Sequence, residues 1–234
     1  MLHVEVSRMT GDPGRLADAV RYLTSEGRPA VERQPGNLGT SLLLDPEAGA
    51  AGFESFWASE GALADSEDVI AASAGEAARR AGGTVTRERY AVLVFEYEAP
   101  WRGGQGVRVT PMDVEPSMLS SVEDAIAWYG DTAVPVLADT SGFCAALLYA
   151  DRASGRVISE TVWQDPQALA ASRHAATAGE AAAARALNGV IGAAGEYRLA
   201  FSASTRCWKT FGHLLRRRDQ PSERPGPYSP AGGC

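Results

Sequence analysis

Apolar positions along the chain recur at two spacings, every second residue and every third or fourth. The order in which these spacings alternate occurs twice. Near the start, Val4 and Val6 lead a stretch of period two over residues 4–9, which predicts a strand. A turn at residues 11–14 follows, with Pro13 placed to open a helix, and Leu16, Ala19, Val20 and Leu23 then fall at helical spacing. Gly27 and Pro29 interrupt that pattern before it resumes to Gln34. Residues 35–37 form a turn, residues 38–44 an apolar run, 45–50 a hairpin loop, and 52–57 a returning strand. Two Ala-rich helices are predicted over 59–64 and 69–80, closed by Gly82-Gly83, and then a long β-branched and aromatic strand over 84–97.

The second pass has the same order. A strand is predicted over 107–112, a helix from Pro116 through Trp128 and Tyr129, and a hairpin of 143–150 with 156–163. Helices over 166–174 and 178–187 and a strand over 196–203 complete it. From Asp18 to Ser66 the chain aligns without a gap to the stretch from Asp124 to Ser172, at a constant offset of 106 positions. About 13 of those 49 pairs are identical, among them Pro29/Pro135, Gly36/Gly142, Asp45/Asp151, Gly49/Gly155, Glu54/Glu160 and Trp57/Trp163. A period of about one hundred residues is too long for a solenoid unit and suits a small domain. The expected organisation is therefore a first domain over 1–98, a linker over 99–106 with Pro100 and three glycines, and a second domain over 107–203. A tail over 204–234 is rich in Pro, Gly and Ser and is expected to be partly disordered, with a short helix over 207–218.

Strand, helix, strand, strand, helix, strand is the ferredoxin-like βαββαβ plan of an α+β domain, one antiparallel sheet with helices on one face. Residues 91–97 are apolar on both faces of their strand, so the bare face of each sheet needs a cover. The other copy is the natural one, which predicts two tandem domains packed sheet to sheet around a pseudo-two-fold axis, a dimer fused into one chain.

Composition narrows the partners. The 234-residue chain is 45% hydrophobic and 22% charged with a net charge of −7, which disfavours nucleic acid and anionic membranes despite the basic cluster at Arg216, Arg217 and Arg218. It has no run of eighteen apolar residues, no signal-peptide pattern, and three cysteines without metal-like spacing, so a cytoplasmic protein is expected. No Gly-rich phosphate loop, paired metal-ligand spacing or Gly-x-Ser-x-Gly elbow is present, and no cofactor or metal is expected.

The turn Gln34-Pro35-Gly36-Asn37-Leu38-Gly39 with Ser141-Gly142-Phe143 resembles a known pattern. So do Glu54-Ser55-Phe56-Trp57 with Glu160-Thr161-Val162-Trp163, and the helix starts 59–63 and 165–169. Together they resemble the dimeric α/β-barrel superfamily, specifically the antibiotic-biosynthesis-monooxygenase-like domain, here in tandem over residues 3–203. The resemblance implies a small-molecule pocket between sheet and helices and a hydrophobic or aromatic ligand. It also implies, for some members, oxidation of polycyclic aromatic polyketides without a cofactor. The alternative is a non-catalytic ligand-binding or interaction protein of the same fold, and a further homodimer is left open. The haem-degrading branch is disfavoured, since the first strands carry no Asn and Ser66 and Ser172 replace an expected aromatic.

Candidate site residues follow from type and position. Trp57 and Trp163 could stack on a flat ligand or anchor the core. Tyr90 and Tyr197 stand at matching places on the last strands, where a hydroxyl could reach a pocket, and Trp128 and Tyr129 lie at the end of a helix, able to line a pocket mouth or to pack in the core. His174, with Tyr197, is the candidate proton acceptor. Arg173 is a candidate for an acidic ligand, or else these two lie on a solvated helix surface or make charge-complementary contacts across the pseudo-dimer, since their counterparts are Asp68 and Glu67. Glu54 and Glu160 read as cross-strand partners of basic residues, or as bases if burial raises their pKa. Cys144 reads as a buried small hydrophobe.

Overall fold

The computed structural model describes residues 1–117 and 129–204. The first half comprises β1 (His3–Thr10), α1 (Leu16–Tyr22), α2 (Arg28–Glu32), β2 (Asn37–Asp45), β3 (Ala50–Trp57), α3 (Glu60–Asp65), α4 (Glu67–Arg80) and β4 (Thr84–Tyr97). The second comprises β5 (Gly106–Asp113), α5 (Val134–Ala138), β6 (Phe143–Asp151), β7 (Arg156–Trp163), α6 (Pro166–Leu187), the two-residue β8 (Val190–Ile191) and β9 (Gly195–Ser204). Each half has the expected βαββαβ order. The interruption at Gly27 and Pro29 is absorbed without a break, because a π-helical turn over Leu23–Gly27 passes straight into α2 with Pro29 in its first turn. Tyr129–Ala133 makes the matching turn before α5. Trp128, most of the first helix of the second half, and the tail lie outside the described residues.

One element differs from the pattern. The two helices expected after β7 are a single 22-residue helix, α6. In the first half Ser66 ends α3 and heads α4, whose first turn holds Glu67 and Asp68, a favourable acidic start. The second half has Ala171 and Arg173 around Ser172, whose hydroxyl donates back to the Leu169 carbonyl at 2.7 Å, and the helix runs on.

The two sheets cover each other face to face, and they also join along both edges. The wall runs β1-β3-β2-β9-β5-β7-β6-β4 and back to β1, with every pair antiparallel. β2 meets β9 with Leu42 opposite Phe201, and β4 meets β6 with Phe95 opposite Leu147. Closure pairs the edge strands that two separate sheets would leave open. The interior is largely apolar: Val4, Val6, Leu43, Tyr90, Val92, Tyr149, Ile158, Val162 and Leu199 belong to one buried cluster. Trp101, in the segment between β4 and β5, joins that interior, stacked on Phe95 at 6.1 Å and edge-on to Phe56 at 6.5 Å.

The opposite face of each half is covered by its own helices. Trp57 and Trp163 seal the strand-to-helix junctions fully buried, each donating its indole N–H two residues back, to Ser55 Oγ at 2.9 Å and Thr161 Oγ1 at 3.0 Å. Ser59 and Asp165 cap the helices that follow, accepting from the Ala62 and Ala168 amides. Gly36 and Gly142 make the shared turn at φ 81° and 85°, where a Cβ would come within 2.6 Å of the Ala62 and Ala168 methyls. The two features quoted for the family pattern, the Gly turn and the Trp, therefore lock the same corner in both halves. No helix among the described residues is long and apolar enough to cross a membrane.

Candidate functional site

The two helix–sheet layers share a plan and differ in filling. In the first half Leu23, Phe53 and Ile70 meet in one packed cluster, with Phe53 and Ile70 at 1% and 0% exposure. At the same offset of 106, the second half has Tyr129, Ser159 and Ala176. Two large apolar side chains have become small ones, and a cavity of about 40 Å³ opens between α6, the turn at Tyr129 and the outer face of β5, β6 and β7. Met112, Leu137, Leu148 and Ala183 supply its apolar lining.

Polar groups converge on this cavity. The Tyr129 and Ser159 hydroxyls lie 3.1 Å apart. Glu180, which takes the place of Ala74, accepts from Thr110 Oγ1 at 2.6 Å and from Arg108 Nε at 2.8 Å. Burial pushes the Tyr129 phenol up to about 12, so it stays neutral and acts as a hydrogen-bond donor or acceptor, not as a base. Glu180 is the carboxylate that faces the cavity, held by the Arg108 fork.

The charges behind the site are inverted between the halves. In the first, Glu5 on β1 accepts from Arg87 Nε at 2.6 Å and Arg89 Nε at 3.3 Å, and Glu67 on α4 pairs with both arginines. In the second, Arg108 on β5 faces Glu196 on β9, and Arg173 on α6 grips Glu196 through two bonds of 2.7 and 2.6 Å. Those Arg173 bonds, and then Arg108, hold the Glu196 carboxyl below its usual range. The opposite signs of Arg173 and Glu67 thus serve a network inside each half, and not a contact across the pseudo-dimer.

A second polar cluster lies inside the barrel. Val6 faces Glu54 across β1–β3, and Val109 faces Glu160 across β5–β7, so the pseudo-axis brings the two glutamates to one level. Both are buried, at 1% and 0% exposure, and within hydrogen-bonding reach of each other. Ser41 donates to Glu54 Oε2 at 2.5 Å and Tyr149 donates to Glu160 Oε2 at 3.1 Å. Burial raises both carboxyls, and the neighbouring Glu54 charge drives Glu160 well above the ordinary value. Two such groups in contact hold a proton between them. The expectation that each pairs with a basic residue across the strands is corrected: their direct partners are a serine, a tyrosine and one another.

The structure scatters the residues singled out from the sequence. His174 and Arg173 sit on the exposed face of α6, and neither lines the helix–sheet cavity. Trp57 and Trp163 are closed core anchors; the ring against Trp163 is Phe143, edge-on at 5.6 Å. Tyr90 is buried in the barrel interior, and Tyr197 lines a different cavity at the barrel mouth. Tyr129, which the sequence offers with Trp128 as a pocket-mouth or core aromatic, lines the helix–sheet cavity, whereas Ser159 and Glu180 went unnoticed as site residues. The signal for them was in the sequence, as positions where the two copies disagree in size and polarity. Among the described residues no group of three or more His, Cys, Asp or Glu is placed to hold a metal ion.

No family model matches the chain. Two uncharacterised proteins of Mycobacterium tuberculosis are each 27% identical to it, one over 161 residues (69% of this chain, 70% of that protein) and one over 175 residues (74% and 73%). Among solved structures, a candidate monooxygenase from Lactobacillus acidophilus superposes with a TM-score of 0.61 at 13% identity, covering 87% of this chain and 96% of its own. One from Fusobacterium nucleatum gives 0.62 at 10%, covering 87% and 94%. An anthrone oxidase-like protein gives 0.61 at 17%, covering 87% and 92%. At these identities the likeness is one of fold, and it agrees with the closed eight-stranded wall and the duplicated βαββαβ order: the chain has a ferredoxin-like α/β-barrel fold similar to that of these monooxygenase-like structures, with both halves carried on one polypeptide.

Proposed function

We propose that the helix–sheet layer of the second half, whose void of about 40 Å³ has room for about one water when closed, opens to bind a hydrophobic aromatic small molecule and oxidises it with molecular oxygen, as a cofactor-independent monooxygenase-like enzyme. The observation that carries this reading is the replacement of Phe53 and Ile70 by Ser159 and Ala176 at matching positions. A duplicated core that only completed a fold would have no need to lose packing in one copy and gain Tyr129, Ser159 and Glu180 there. The fold shared with an anthrone oxidase-like protein supports a flat phenolic substrate. For such a molecule, a ring CH₂ becomes a ketone: one oxygen atom of O₂ enters the carbon, and the other leaves as water with the two hydrogens. No external reductant is needed. In this site Glu180 would accept the substrate's acidic proton, Tyr129 and Ser159 would orient its oxygen, and the apolar walls would exclude water.

The test is oxygen uptake and product mass with anthrone as the probe, for the natural chain and for Ser159→Phe/Ala176→Ile, which restores the first half's filling. Turnover abolished by filling is the expected result. Equal turnover in both proteins would remove the site, and binding of anthrone without oxygen uptake would reduce the protein to a ligand binder.

A further inference from the structure

A second departure from symmetry opens the inside of the barrel. In the second half Pro111 on β5 lies opposite Ile158 on β7, and Ile158 fills the interior. The matching pair in the first half is Arg8 on β1 opposite Gly52 on β3. Gly52 is not required by its backbone, since a Cβ there would meet nothing closer than Leu43 Cβ at 3.7 Å. Its missing side chain is what leaves room. The result is a cavity of about 110 Å³ lined by Val6, Arg8, Leu43, Glu54, Val109 and Tyr197, among others. At roughly 30 Å³ per water this is space for three or four waters, or for a molecule of a few heavy atoms.

The groups on its wall share one chemistry. Arg8 brings a guanidinium at the mouth, its side chain about a third exposed. Its partner Glu88 also accepts from Arg156 Nη1 at 2.7 Å, so one carboxylate is shared by two cations. Tyr197 presents a hydroxyl with no hydrogen-bond partner among the described residues. Glu54, wholly buried beside Glu160, has its carboxyl raised by burial and shares a proton with Glu160. Of the other elements around the pair, β2 contributes Ser41, β4 contributes Glu88 and Tyr90, β6 contributes Tyr149, and β5 contributes only apolar Val109. Asp45, Asp113 and Asp151 stand at the strand ends on the rim, and the Asp45 and Asp151 charges reach Tyr197 and Tyr90.

We propose that this cavity is a binding site for a small carboxylate of acetate-to-pyruvate size. The Arg8 guanidinium would hold its two oxygens, with the Tyr197 hydroxyl as a further donor. The site is separate from the helix–sheet cavity of the second half and does not depend on its chemistry.

Calorimetric titration of the full chain with pyruvate and acetate tests it, with chloride and methylammonium as controls. Saturable pyruvate binding is expected, weakened about tenfold or more in Arg8→Gln and abolished in Gly52→Val, whose side chain occupies the space. The Ser159→Phe/Ala176→Ile protein should bind pyruvate as the natural chain does, which separates this site from the proposed oxidation site. Absence of saturable pyruvate binding, a preference for methylammonium, or undiminished affinity in Gly52→Val would each overturn the proposal. The wild-type titration decides even if a variant does not fold.

Discussion

Replacing Glu160 by glutamine should make the protein relatively more stable as pH rises. In the folded chain Glu160 lies at 0% exposure against Glu54, and burial first, then the Glu54 charge, raise its pKa well above the ordinary 4.5. An unfolded chain releases that proton near 4.5, while the folded chain keeps it. The folded state then binds more protons than the unfolded state, so unfolding free energy falls with rising pH. The stability is fully present below the unfolded value and is lost as pH climbs toward the folded one. Its slope is about 1.4 kcal/mol per pH unit for each proton retained. Glutamine copies the protonated acid. Its carbonyl can accept from Tyr149, and its amide can donate to Glu54.

Urea unfolding of both proteins across a pH series, from about 4 to about 8, reads the difference directly. Subtraction cancels groups common to both, including Glu76, held at about 2 by Arg79 and Arg80, whose contribution has the opposite sign. At the acidic end the two proteins should agree to about 1 kcal/mol, the worth of one exchanged hydrogen bond. From there Glu160→Gln should gain on the natural chain at up to the stated slope. A difference that stays constant with pH, or that moves in favour of the natural chain, would refute the shared-proton account of the barrel interior.

Four further substitutions have expected outcomes. Ile70→Ala removes a fully buried side chain from the solid first-half layer and should cost about 2–5 kcal/mol by urea unfolding. Arg173→Ala should leave the urea midpoint almost unchanged, because that side chain is 59% exposed and its ion pair is screened by water. Glu5→Gln should cost about 3 kcal/mol, since it removes a buried carboxylate from two arginines. Equal effects of these two changes in thermal or urea melts would contradict the burial difference between the two networks. Gly83→Ala should be strongly destabilising, because its Cβ would lie 1.7 Å from the Thr10 carbonyl oxygen, and soluble yield together with a melting curve reads the effect.

The architecture was legible because its determinants are local and occur twice. Period-two runs, the turns at Gly36 and Gly142, and the tryptophans at Trp57 and Trp163 each fix one corner, and two matching sets leave one sensible way to hide the bare sheet faces. Edge pairing of β2 with β9 and of β4 with β6 was not legible, because register between distant strands is set by closure of the wall and not by any local signal. The length of α6 escaped for a related reason. Ser66 and Ser172 are identical, but only the residues after Ser66 favour a new helix start.

Both kinds of position, shared and unshared between the copies, are candidates from the sequence: Trp57 and Trp163 because they match, His174 and Arg173 because Asp68 and Glu67 replace them. Selection for packing preserves Trp57 and Trp163 in both halves, and both are closed anchors. Function on a duplicated scaffold has to break the duplication, since two equal halves can offer only two equal surfaces. The informative positions are those where a large apolar residue faces a small or polar one across the offset: Phe53 with Ser159, Ile70 with Ala176, Ala74 with Glu180, and Ile158 with Gly52. Three of these four losses of volume or gains of charge fall on the outer layer of the second half and the fourth inside the barrel, and the two helix–sheet and barrel-mouth cavities sit at those positions. Glu54 and Glu160 are the instructive exception, conserved between the halves and still unlike ordinary core. Symmetry itself makes them special, because identical acids on equivalent strands are forced to meet at the axis that relates them.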